Sequence, residues 1–177
     1  MTRYDENMDV YQVIKTRRSV RSYKPDPVPE EVLNRILEAA RLAPSAHNGQ
    51  DYKFVVVKDS QKRKLLAQAA EQDFISQAPI IIAAVSLDPD KIISCGAPTY
   101  AVDLAIAVDH LTLAAAAEGL GICWIGAFNQ KEAKKILGVP AQSKIVILLP
   151  LGFPADQPGT KVRKNLAEIA CFERFEE

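Results

Sequence analysis

PTYAVDLAIAVDHLTLAAAAEGLGICWIGAF, residues 98–128, decides the fold. Its first part, from about Pro98 to Glu118, predicts a long helix. Apolar residues cover most of its circumference, so it should be buried on most sides. Four consecutive alanines, 114–117, permit close approach of another helix. Gly119 suits the C-cap. Residues 122–128, ICWIGAF, then read as a strand. The glycines invite a dinucleotide fingerprint, but their spacing is G-x-G-x-x-x-x-G, and the helix precedes them where a strand should. Gly126 carries more interest. It ends the strand beside Trp124, where a bare backbone would let a flat ligand approach. The alternative for Trp124 is plain core packing.

Working outward, YKFVVVK (52–58), PIIIAAVS (79–86) and KIVILLPLGF (144–153) read as further strands. The second is apolar at every position but its last, as a central strand would be. A short helix is expected over 7–15 with Asn7 or Asp9 as cap. A clear helix follows Pro29, which suits the first helical position, with Glu30 and Glu31 complementing the dipole. Ser60 is expected to cap a helix to about Phe74, and Asn129 one to about Leu137. Helices alternating with strands imply one α+β (α/β layered) domain over 1–177, with residues 154–177 as a polar tail.

The chain has 177 residues, 22 basic and 22 acidic, so its net charge is zero. That argues against a nucleic-acid binder. Three scattered cysteines with no CxxC signal neither a disulfide framework nor a zinc site, and fit a reducing cytoplasm. The polar N-terminus reads as no signal peptide, and the apolar strands are too short for a bilayer. Only His47 and His110 are present, in no metal-ligand pattern. No phosphate-loop or G-x-S-x-G motif occurs.

Against that neutral background, KTRRSVRSYKP (15–25) concentrates Arg17, Arg18 and Arg21 around Ser19. If extended, it sends Arg17, Ser19 and Arg21 to one side and Arg18 to the other. Two guanidiniums and a hydroxyl would cradle an anion; a solvated basic face is the ordinary alternative. A second cluster, TKVRKN (160–165), holds Lys161, Arg163 and Lys164 near the other end of the chain. Between a helix and a strand, APSAHNGQDY (43–52) offers Ser45, His47, Asn48 and Gln50, groups suited to a polar heterocycle or polyol, or else to a turn.

In order, RRSVRSY, APSAHNGQDYKFVVV, DLAIAVDHLTLAAAAEGLGICWIGAF and KVRKNLAEI resemble the motifs of the FMN-dependent nitroreductase family over nearly the whole chain. The resemblance implies a mixed central sheet flanked by helices and an intertwined homodimer with two FMN sites at its interface. The tail would contact the partner subunit. It implies that Arg17, Arg18 and Ser19 hold the phosphate and ribityl chain. Arg163 and Lys164 complete the phosphate site, with Lys161 as a possible substitute. Arg21 approaches the N1–O2 edge of the ring. Pro44, Ser45 and Asn48 come from the partner, and Trp124, Ile125 and Gly126 line the ring. It also implies a cytoplasmic enzyme in which NADH or NADPH reduces the flavin and a nitroaromatic or quinone reoxidises it, by ping-pong kinetics. No side-chain nucleophile or metal is needed. A flavin sensor or carrier without turnover, and a same-fold dehalogenase or dehydrogenase, are the competing readings. The family loop often reads Q-P-W; here Gln50-Asp51-Tyr52 departs from it.

Overall fold

The structure is a computed structural model that describes residues 9–156 and 158–175. Four strands, β1 (Tyr52–Val57), β2 (Ile80–Ser86), β3 (Gly121–Ile122) and β4 (Lys144–Gly152), form one sheet in the order β1-β2-β4-β3. Five helices surround it: α1 (Val10–Thr16), α2 (Glu30–Arg41), α3 (Ser60–Ala69), α4 (Thr99–Ala117) and α5 (Gln130–Leu137).

Strand β2 is buried at all seven positions, as a strand covered on both faces must be. Its side chains alternate. Ile80, Ile82 and Ala84 join the core beneath α2 and α4, with Leu33, Ile36, Leu104 and Leu111. Ile81, Ala83 and Val85 join the core beneath α3 and α5, with Leu66, Ile75 and Ala133. Among the described residues, α4 is long and apolar enough to cross a membrane. Here its buried side instead packs into the first of these cores.

Local chemistry explains the boundaries. The Asp9 carboxylate caps α1 by accepting from the Tyr11 N–H; Asn7 lies outside the described residues. Pro29 is the N-cap of α2, one position before the helix it was expected to open. Asp59, not Ser60, caps α3 by accepting from the Lys62 N–H. That helix stops at Ala69, well short of Phe74, and residues 73–77 form a separate 3₁₀ turn. Gly119 lies just past α4 in the left-handed region, at φ 73°. From there its N–H reaches the Ala116 carbonyl, and the Leu120 N–H reaches Ala115.

The third strand departs most from expectation. Its regular ladder covers Gly121–Ile122 alone, resuming as a single bridge between Ile125 and Leu148. Continuing the register from Ile122↔Leu151 places Cys123 opposite Pro150. Proline has no N–H to donate, so the ladder lapses there. The Pro150 carbonyl accepts instead from the Tyr23 hydroxyl at 3.1 Å.

That hydroxyl belongs to the basic N-terminal segment, which is laid along this end of the sheet. The named ladders are all antiparallel, and the sheet's mixed character enters where Ser19 bridges Ile122 in parallel. The Val20 N–H donates to the Ile122 carbonyl, Lys24 to Phe153, and Ala155 back to Ser22. Val20 and Tyr23 are buried, while Ser19 and Arg21, on either side of Val20, are exposed. Gly121 permits this approach. A Cβ there would meet Val20 Cγ2 at 2.3 Å and Val20 Cβ at 2.6 Å.

Gly121→Ala should therefore destabilise the protein by about 1–3 kcal/mol, the usual cost of overpacking. That lowers the melting temperature by roughly 2–12 °C for a chain of this size. Amide exchange at Val20 should accelerate as the segment lifts. A melting temperature equal to wild type would show that the glycine is not what admits the segment.

Candidate functional site

The two basic clusters meet. A cleft of about 680 Å³ is lined by Lys15, Arg17 and Arg18 from the end of α1 and by Lys161 and Arg163 from the tail, with Asp109 of α4 the single carboxylate. Lys161 Nζ donates to the Ile14 carbonyl at 3.0 Å, tying the tail to α1. Partial desolvation, followed by the charges of Arg17, Arg18 and Arg163, holds its ammonium below the usual lysine range. Like charges thus crowd one another here, and an anion would relieve them. Lys164 does not line the cleft; Lys161 does.

Arg17 and Arg18 were expected on opposite sides of an extended strand, yet both line the cleft. The helix runs to Thr16, so strict alternation does not apply at Arg17. Arg17 is half-buried, and its side chain has no hydrogen-bond or ion-pair partner among the described residues. Arg18 is different: its Nη1 and Nε are engaged by backbone carbonyls. Ser19 and Arg21 are exposed and lie outside the cleft lining. Burial pushes the Cys123 thiol up, and the Arg21 charge opposes that shift, so Arg21 stands near the run that leads to Trp124.

Residues 124–126 form an exposed strip. Trp124 is 38% exposed rather than a core residue. Its indole Nε1 donates to Thr112 Oγ1 of α4 at 2.9 Å, which orients the ring. The Ile125 side chain is buried in the core under α5, so only its backbone belongs to this surface. Gly126 is exposed, and a Cβ there would meet nothing within 4 Å. Packing within the chain does not demand a glycine at that position.

The loop after α2 is conformationally unusual. His47, Asn48 and Gln50 all have positive φ, at 52°, 56° and 53°. Three left-handed non-glycine residues in four positions persist only where the surroundings impose them. Ser45 Oγ accepts from the Gln50 N–H at 3.2 Å, and Asn48 Oδ1 accepts from Gln50 Nε2 at 3.1 Å. From outside the loop, the buried Asp103 of α4 accepts from the Ala46 N–H at 3.1 Å. The departure at Asp51 is also accommodated, since Lys91 Nζ donates to its Oδ2 at 2.6 Å. Tyr52 opens β1 and packs edge-on against Phe54. Pro44, Ser45 and Asn48 do not line the basic cleft within one chain.

Sequence reasoning did not single out Asp103 or Lys91. A carboxylate in an otherwise apolar helix, one of two in α4, was the available signal for Asp103. Lys91 carried no signal, because its pairing with Asp51 spans 40 residues.

Known proteins with this arrangement agree on the family. The nitroreductase family model matches residues 14–80 and 66–153. The FMN reductase (NAD(P)H) of Bacillus subtilis is 34% identical over 173 residues, covering 88% of this chain and 70% of the relative. A nitroreductase family protein of Clostridium novyi NT superposes with a TM-score of 0.81 at 35% identity, covering 87% of this chain and 89% of that one. The NADPH:FMN oxidoreductase of Vibrio harveyi, solved with NAD+, gives a TM-score of 0.86 at 27% identity over 95% of this chain and 78% of that one. The matched span takes in the basic N-terminal segment, the strained loop, α4 and the strip that follows it, and on that ground the chain belongs to the nitroreductase family.

Proposed function

We propose that this protein is an FMN-dependent oxidoreductase. It takes electrons from NADH or NADPH and passes them, in alternating half-reactions at one site, to a small acceptor such as a nitroaromatic or a quinone. The observation that carries the reading is the convergence of five cations, against one carboxylate, on a cleft built from both ends of the chain. A phosphate dianion fits that donor set, which arginine forks and a lysine point charge recognise well. Riboflavin alone would leave it uncompensated. The exposed strip at Trp124–Gly126 supports a flat ligand, since the missing Cβ at Gly126 leaves the backbone open.

FMN, when bound, supplies the electron-transfer chemistry. This chain's residues bind, orient and tune it. Arg17, Arg163 and Lys161 take the phosphate. Lys161 replaces Lys164 in this role because it lines the cleft. Ser19 faces the polyol chain, Arg21 the electron-rich edge of the ring, and the Trp124–Gly126 backbone its plane. Pro44, Ser45 and Asn48 come from the second chain of a homodimer, consistent with their separation from the cleft in one chain.

Dimerisation is supported by apolar surface that a monomer would leave wet. Val162, Leu166, Ile169, Phe172 and Phe175 of the tail are between 68% and 89% exposed. On α4, Val102 and Ala105 are also exposed on one face. Patches of this extent usually mark interaction surfaces, and two copies burying tail and helix face together would cover both. A cytoplasmic setting suits the free cysteines, two of them exposed.

Anaerobic mixing with NADH or NADPH tests the reading as a whole. The protein should arrive yellow, bleach on mixing, and recover its colour when a nitro compound or quinone is added. Bleaching without recovery would point to a sensor or carrier.

Arg17→Ala and Arg163→Ala should each weaken FMN binding by roughly ten- to 150-fold, the scale of a hydrogen bond to a charged group. The double variant should lose less than the product of the two, because both hold one phosphate. Full additivity, measured by fluorescence titration, would argue for separate sites. Gly126→Ala should leave the melting temperature of the flavin-free protein unchanged yet weaken flavin binding; equal flavin affinity would remove Gly126 from the ring's surface. Arg21→Gln should leave FMN bound but lower its two-electron midpoint. A guanidinium favours the reduced, more anionic form, and losing a charge-assisted bond at about 30 mV per 1.4 kcal/mol lowers the potential by roughly 30–65 mV. A dye-coupled titration giving an unchanged or raised midpoint would place Arg21 away from that edge.

A further inference from the structure

Arg18 does something the other cleft cations do not. Its Nη1 donates to the carbonyls of Lys15 at 2.9 Å, Thr16 at 2.8 Å and Arg17 at 3.0 Å. Its Nε donates to the Gly159 carbonyl at 3.2 Å, 141 residues away. The first two of those carbonyls belong to the end of α1, where a helix leaves acceptors without backbone partners. Gly159 lies two residues before Lys161. One guanidinium therefore caps a helix and grips the tail at the same time.

The tail needs such a grip. Residues 158–164 have no helix or strand structure. Among the described residues, two hydrogen bonds join that segment to the rest of the chain: Arg18 to Gly159, and Lys161 to Ile14. The second is made by an ammonium that Arg17, Arg18 and Arg163 repel. Electrostatics alone would lift Lys161 and Arg163 away from the cleft before an anion arrives.

We propose that Arg18 is the positioning residue for the phosphate site: it latches the tail through Gly159 so that Lys161 and Arg163 are pre-seated opposite Arg17. This rests on the reading of the cleft as the FMN phosphate site. The latch requires arginine. Arginine's planar fork holds donors on separate atoms toward carbonyls on two segments, whereas lysine gathers its donors on one compact ammonium. Pre-seating matters because ordering a loose segment at the moment of binding subtracts from affinity.

Arg18→Lys separates charge from geometry, since it keeps the cleft's net charge and removes the fork. The first measurement is trypsin cleavage after Lys161, Arg163 and Lys164 in flavin-free full-length protein. Cleavage there should quicken about tenfold in the variant, the scale of one lost charge-assisted hydrogen bond. The second is the ratio of FMN to riboflavin affinity. That ratio should fall about tenfold with riboflavin affinity unchanged. In a Lys161→Ala/Arg163→Ala background the same substitution should change the ratio little, because the residues it seats are gone.

Unchanged tail cleavage in Arg18→Lys would overturn the latch. So would an FMN loss as large in the double-alanine background as in wild type, which would make Arg18 a direct phosphate ligand. A riboflavin loss matching the FMN loss would reduce its role to general stability. Should Arg18→Lys fold poorly, Arg18→Gln in the same assays keeps the test. If wild-type protein shows no preference for FMN over riboflavin, the flavin-phosphate reading fails, while the cleavage measurement still decides whether the latch exists.

Discussion

The architecture of the site depends on one close approach: Val20 against Gly121. The N-terminal segment runs beside β3 because no side chain stands in its way there. Once seated, it is held by hydrogen bonds to Ile122 and Phe153, and by the Tyr23 hydroxyl on Pro150. That hydroxyl sits where the sheet's own ladder lapses. Burial holds the phenol well above the usual tyrosine range, which favours its donor form. The basic segment is therefore part of the sheet's edge and not a mobile arm, and its arginines project from a rigid base.

The convergence of charges has an electrostatic consequence. Five cations held together repel one another, and the folded chain tolerates them because their heads remain near water. An anionic ligand would convert that repulsion into affinity. On the proposed reading, such a site would be poised for a phosphate by an arrangement unfavourable without one, a common way for binding sites to differ from the scaffold that carries them. The strained loop over His47–Gln50 is a second locally unfavourable arrangement, away from the cleft within one chain. Three left-handed residues are retained there, with Asp103 holding the backbone from within α4.

Helix α4 links these features. Asp103 reaches the loop, Asp109 reaches the cleft, and Thr112 orients Trp124. Its residues Leu104, Val108, Leu111 and Ala115 pack into the core. One nearly apolar helix therefore sets the relative positions of loop, cleft and strip through three polar side chains, each about two turns or less from the next.

By itself the sequence determined the layered fold, the places of three strands and the long helix, and the residue types of an anion site. Those follow from local rules: an unbroken apolar run in β2, a cap at Asn129, a glycine past α4. It also held the resemblance to a flavin-binding family in four ordered motifs. Tertiary structure alone decided that Lys161, rather than Lys164, joins Arg17 and Arg163, and that Arg18 spends its fork on carbonyls. It also decided that β3 breaks opposite Pro150, and that Asp51 finds Lys91. Each of these turns on which side of a segment faces another segment far along the chain. Neighbouring residues in the sequence do not encode that facing; it is set when the tail, the N-terminal segment and α4 close on one another.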